Sequence, residues 1–91
     1  GAERAYELGI INRLTDGPAL DAALELAAAI GANGPLAVKA SKQVIVESRP
    51  WPEDEMWKKQ QEIVGPVFVS GDAREGAAAF AEKRAPNWKG K

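Results

Sequence analysis

Few side chains in this sequence can do covalent or acid-base chemistry. It has no histidine and no cysteine, so a nucleophile would have to be Ser41, Ser48 or Ser70, with a lysine in place of imidazole as its base. Ser41 does precede Lys42, but consecutive helical residues point about 100° apart and do not face each other as a dyad. These serines read as small residues at helix contacts. The same two absences remove the thiolate and imidazole ligands that a zinc site needs, so no metal site is expected.

Carboxylates are the next candidates. Glu53 with Glu55, and Asp72 with Glu75, have spacings that could serve a general acid and base or hold a hard cation. Both pairs fall where helices should start, and there the exposed amides and the helix dipole already account for acidic residues. Neither the Asp-rich loop of a calcium site nor a Gly-rich phosphate loop occurs. The end of the chain is more unusual: Lys83, Arg84, Lys89 and Lys91 alternate with Phe80 and Trp88, and no acid follows Glu82. Rings that stack on a base beside cations that meet phosphate are the parts of a nucleotide contact, although a basic last helical turn has the same composition.

The elements that must position these residues are marked by glycine and proline. Ala2 to Leu8 favours helix, with Gly9 at the left-handed position that would end it. Thr15-Asp16-Gly17-Pro18 is turn chemistry, and Pro18 is expected as the first residue of a second helix. Leu20, Ala23, Leu24, Ala27 and Ile30 give that helix an apolar stripe, and Gly31 or Gly34 ends it. A third helix follows Pro35, with Leu36, Ala37, Ala40, Ser41, Val44, Ile45 and Ser48 along one face.

Arg49-Pro50-Trp51-Pro52 breaks that helix. Pro52 and the acids Glu53, Asp54 and Glu55 then suit the first turn of a fourth, expected to be the longest. It should run through Met56, Trp57, Gln60, Ile63 and Val64 to Phe68, kinked at Gly65-Pro66 rather than stopped. A last helix is expected to reach Arg84, with Asp72 and Glu75 spaced as a capping box and Ser70 as a rival cap. Pro86 leaves Ala85 to Lys91 as an irregular tail that needs a surface to order it. Trp51, Trp57 and Trp88 are expected to pack against neighbouring helices.

A chain of 91 residues with 45% hydrophobic and 27% charged side chains is globular in composition, yet short for a self-sufficient core. Support from outside itself is expected. Twelve basic against thirteen acidic residues leave a formal charge of -1, which argues against nucleic acid as a partner. No apolar run reaches the roughly 18 residues of a membrane span, and a cytoplasmic location is the expectation. The opening Gly1-Ala2-Glu3-Arg4, without Met, reads as the interior of a larger polypeptide.

Three strings resemble the C-terminal third of the enoyl-CoA hydratase/isomerase, or crotonase, family. They are Ala2-Glu3-Arg4-Ala5-Tyr6-Glu7-Leu8-Gly9-Ile10-Ile11-Asn12, Asn33-Gly34-Pro35-Leu36-Ala37-Val38-Lys39, and Ser70-Gly71-Asp72-Ala73-Arg74-Glu75-Gly76 followed by Ala79-Phe80-Ala81-Glu82-Lys83-Arg84-Ala85-Pro86. The likeness covers the chain from end to end and in order.

That resemblance implies an all-α segment of about five helices over residues 1–91, the C-terminal oligomerisation (trimerisation) region of a crotonase-like fold. Its catalytic spiral domain would lie upstream of Gly1. It also implies an acyl-CoA enzyme, foremost an enoyl-CoA hydratase of fatty-acid metabolism, with isomerase, dehalogenase and CoA-ester hydrolase as alternatives of the same family. The family polarises its thioester carbonyl with two backbone N–H groups, a preorganised oxyanion hole. Those groups and the family's acids are expected before Gly1, so no catalytic residue is assigned here, and the segment alone is expected to be inactive.

The implied partners are the chain's own N-terminal catalytic domain, further copies in a trimer or hexamer, and the acyl-CoA substrate. No cofactor is required beyond the CoA that is part of that substrate. The family's terminal Phe-x-x-Lys pair falls on Phe80 and Lys83, which would approach the adenine and 3′-phosphate end of CoA from one shared helical face. A free-standing helical module that binds another protein is the reading from a different class.

Overall fold

In the computed structural model, which describes residues 1–91, helices α1 (Ala2–Glu7), α2 (Ala19–Gly31), α3 (Pro35–Glu47), α4 (Met56–Phe68) and α5 (Gly71–Glu82) succeed one another without a strand. The all-α expectation of about five helices is met. Helix α1 ends as its glycine suggests. Gly9 has φ 72°, its N–H donates to the Tyr6 carbonyl at 3.0 Å, and Ile10 N–H reaches back to the Ala5 carbonyl at 2.9 Å. These are the paired bonds of a left-handed helix stop, and glycine enters that conformation without a Cβ penalty.

Two helix starts are displaced from the sequence expectation. Pro18 stands just outside α2, with ψ 126°, and its carbonyl accepts the Asp21 N–H at 3.2 Å. Proline's fixed φ suits either position, so its presence marks the start of a helix to within a residue. After Pro52, the acids Glu53–Glu55 form a separate 3-10 turn, and α4 proper begins at Met56. A tighter turn commonly precedes an α-helix. As a result α4 has thirteen residues, the same as α2 and α3, and is not the longest helix. Pro66 lies inside α4, which continues to Phe68.

Helix α3 packs most closely with α4, where Leu36 and Ala40 meet Ile63 and Val67 along a shared groove. Helix α5 follows against α4, and α2 against α3, whereas α1 packs substantially against no other helix. Only Ala40, Ala79 and Asp72 are buried. The chain extends 45 × 40 × 18 Å with a radius of gyration of 17.1 Å. A compact chain of this length would have about 12 Å. The slab is 18 Å thin against 45 and 40 Å in its other two directions, so few side chains are enclosed from every side.

This geometry leaves several apolar stripes uncovered. Leu20, Leu24 and Ile30, which define the α2 stripe, are all exposed, and the partly covered positions of that helix are instead Ala22 and Leu26. Ile45 and Val46 on α3 are exposed as well. Trp51 and Trp88 are partly covered as expected, but Trp57 is 70% exposed. The expectation that all three tryptophans pack on neighbouring helices fails at Trp57, whose ring no element of this chain covers. No helix is long and apolar enough to cross a membrane.

Candidate functional site

The best-defined polar arrangement is where α5 and the tail 83–91 fold back on each other. Ser70 caps α5: its Oγ accepts the Ala73 N–H at 3.1 Å and donates to the Val67 carbonyl at 2.6 Å. Because Ser70 fills that position, Asp72 is inside the first turn and is not the cap that its spacing suggested. Its carboxylate turns to the tail. Oδ1 accepts the Lys89 N–H and Oδ2 the Gly90 N–H, each at 2.8 Å, while the Asp72 N–H donates to the Lys91 carbonyl at 2.9 Å. Asp72 is only 5% exposed, and these bonds leave no buried side-chain polar atom unpaired.

One turn along the same helix face, Glu75 takes a similar task. Its carboxylate receives Arg84 Nη1 at 2.6 Å and Nη2 at 3.1 Å, and Oε1 also accepts the Asn87 N–H at 2.8 Å. The Arg84 hydrogen bonds, then the Asn87 amide, hold the Glu75 carboxyl down at about 2, well below its ordinary 4.5. Arg84 is raised in turn, chiefly by its hydrogen bonds to Glu75 and Glu82. The bidentate fork suits a carboxylate, and a second acid at Glu82 takes Arg84 Nε. Neither Asp72 nor Glu75 therefore acts as half of a capping box.

Trp88 completes the return. Its indole N–H donates to the Ala32 carbonyl at 2.9 Å, in the turn between α2 and α3. A Cβ on Gly76 would stand 3.0 Å from the ring, and one on Gly34 would stand 3.7 Å away. The two glycines make the bed of the indole. A Cβ on Gly71 would come within 2.9 Å of the Lys91 carbonyl, so the close approach of the tail depends on that glycine too. The surface that orders the tail is the chain's own.

Phe80 and Lys83 sit at the far end of α5, beyond the clamp. Phe80 is 88% exposed, and Lys83 is also open to solvent. They do not share the expected helical face, because Lys83 leaves the helix with φ 54° and ψ 41°. It occupies a left-handed stop like the one at Gly9: Lys83 N–H donates to the Phe80 carbonyl at 3.2 Å and Arg84 N–H to the Ala79 carbonyl at 3.0 Å. The helix accordingly ends at Glu82 and not at Arg84. The structure brings the ring and the lysine to one helix end without a bond between their side chains.

Of the cations singled out in the sequence, Arg84 is committed to two carboxylates, and the Lys83 ammonium has no ion pair. Lys89 and Lys91 share with Arg74 an open polar groove beside the start of α5. Among the acids of the 3-10 turn, Glu55 pairs with Lys59 at 3.6 Å. The clamp formed by Asp72, Glu75 and the two glycines under Trp88 was missed from sequence. Its bonds join positions 9 to 56 residues apart, and no local spacing signals them.

No family model matches the chain. It is 53% identical over 88 residues to an enoyl-CoA hydratase of Mycobacterium tuberculosis, covering 96% of this chain and 33% of that protein. A carnitinyl-CoA dehydratase of Escherichia coli is 38% identical over 96 residues, covering all of this chain and 37% of the other. Among solved structures, an enoyl-CoA hydratase from M. tuberculosis superposes with a TM-score of 0.96 at 58% identity, over 99% of this chain and 36% of that one. A probable enoyl-CoA hydratase/isomerase from M. abscessus gives 0.92 at 63% identity, with the same coverages. The chain spans about a third of the length of these relatives.

Proposed function

Since the chain matches the C-terminal part of the enoyl-CoA hydratase, or crotonase, family, we propose that residues 1–91 are the helical oligomerisation segment of an enoyl-CoA hydratase. The parent enzyme adds water across the double bond of a trans-2-enoyl-CoA, and this segment carries none of its catalytic groups. The observation that carries this reading is the 53% identity to a hydratase over 96% of the chain. The slab supports it physically. Uncovered stripes on α2 and α3 are what a segment presents when its apolar faces lie against a catalytic body and against further copies in a trimer or hexamer.

Within that enzyme, Phe80 and Lys83 meet the adenine and 3′-phosphate end of the CoA moiety. The ring offers an open stacking face, and the unpaired ammonium is a point charge for phosphate. Backbone strain at Lys83 supports the assignment. A left-handed residue with a Cβ is disfavoured, and such outliers concentrate where a side chain has a task.

The test is a hydration assay of the full-length enzyme with crotonyl-CoA and with crotonyl-pantetheine. Hydration of crotonyl-CoA is expected from the full-length protein and not from residues 1–91 alone. Lys83→Ala should raise KM for the CoA ester by about tenfold, on the scale of one charge-assisted contact, and leave the pantetheine ester unchanged. Absence of hydratase activity in the full-length protein would overturn the activity, and equal effects of Lys83→Ala on both esters would remove Lys83 from the coenzyme site.

A further inference from the structure

We infer that Glu75 and Arg84 are positioning residues for Lys83: by engaging each other, they hold the Lys83 backbone in its left-handed stop. This rests on the reading of Lys83 as a coenzyme contact. Arg84 bonds two acids at once, with Nη1 and Nη2 on Glu75 and Nε on Glu82. A planar five-donor fork can hold two carboxylates at once, which a lysine cannot do in the same geometry.

The same ties fix the backbone. Lys83 lies between the end of α5 and Arg84, and the guanidinium is drawn back nine residues to Glu75 while the Asn87 amide docks on the same carboxylate. The chain on the C-terminal side of Lys83 is thereby pinned to the helix on its N-terminal side. With both flanks fixed, the left-handed φ of 54° is retained. Glu75 itself touches neither Phe80 nor Lys83 by a hydrogen bond or ion pair, so its effect on the coenzyme end is indirect.

The test is a double-mutant cycle in the full-length enzyme, read as KM and kcat with crotonyl-CoA and crotonyl-pantetheine. Glu75→Ala should raise KM for the CoA ester about fivefold and leave kcat and the pantetheine KM within about twofold. Adding Glu75→Ala to Lys83→Ala should then cause no further loss, because the lysine that it positions is gone. Glu75→Gln keeps acceptors for Arg84 and Asn87 and should fall between wild type and Glu75→Ala. It also serves should the alanine variant fail to fold. Arg84→Lys, unable to hold both acids, should reproduce the alanine effect.

A selective loss with Lys83→Ala, but none with the Glu75 and Arg84 variants, would overturn the positioning role alone. Additive losses in the double mutant would do the same. No selective loss with Lys83→Ala would overturn the coenzyme reading and this inference with it.

Discussion

The first and last helices of the chain stop in the same way, with one difference that separates geometry from function. Both α1 and α5 end on a left-handed residue whose amide and the next one fold back onto helix carbonyls. In α1 that residue is Gly9, at φ 72°, and in α5 it is Lys83, at φ 54°. Glycine adopts this conformation freely, so Gly9 needs no explanation beyond the turn. Lysine does not, and around it the chain has assembled an arginine fork, two acids and a docked tail. The N-terminal stop carries no such support and packs substantially on no other helix. Where the backbone is strained, the surroundings are over-determined; where it is relaxed, they are bare.

The clamp offers the severest way to break this contrast. Asp72→Ala removes a buried carboxylate that accepts two tail amides, so it should cost about 2–3 kcal/mol, the scale of charge-assisted bonds and orphaned donors. Denaturant unfolding of the full-length protein measures the loss, and the Lys89 and Gly90 amides should lose hydrogen-exchange protection. Trp88→Ala should follow at about 2 kcal/mol, less than for a fully buried indole because the ring is only partly covered. In residues 1–91 taken alone, no comparable loss is expected from Leu8→Ala, beside Gly9 at the other stop, where the side chain is exposed.

The stops themselves can be exchanged. Gly9→Ala should destabilise by about 1 kcal/mol, because a Cβ is forced into the left-handed region. Lys83→Gly should stabilise by up to about 1 kcal/mol while weakening the CoA ester selectively. Opposite signs in the thermal melts of these two variants would sharpen the contrast, and a destabilising Lys83→Gly would break it.

The smallest effect is in pH. Glu75 titrates lower when folded, at about 2 against an ordinary 4.5, so its tie to Arg84 contributes fully above the unfolded value and is lost as pH falls through about 2. Protection of the Asn87 amide should decline across that window and be flat above it. Glu75→Gln should abolish the dependence.

Much of the fold was legible because local chemistry sets it. Prolines 18, 35, 52 and 86 and glycines 9 and 31 punctuate the helices to within a few residues. The family likeness was equally readable from the strings around Ser70 and Phe80, and the relatives match over the whole chain. The roles of individual residues read less well. Asp72 and Glu75 carried a local spacing that suggested helix capping, but Ser70 took the cap, and tertiary return of the tail claimed both carboxylates. Helix α2 formed as expected, but its expected stripe is exposed and Ala22 and Leu26 are the partly covered positions, because periodicity identifies a face without saying what covers it.

The 18 Å thickness of the slab has a thermodynamic consequence. A layer with so little interior gains little hydrophobic free energy by folding on its own, so residues 1–91 in isolation should melt well below the full-length protein and with a shallower transition.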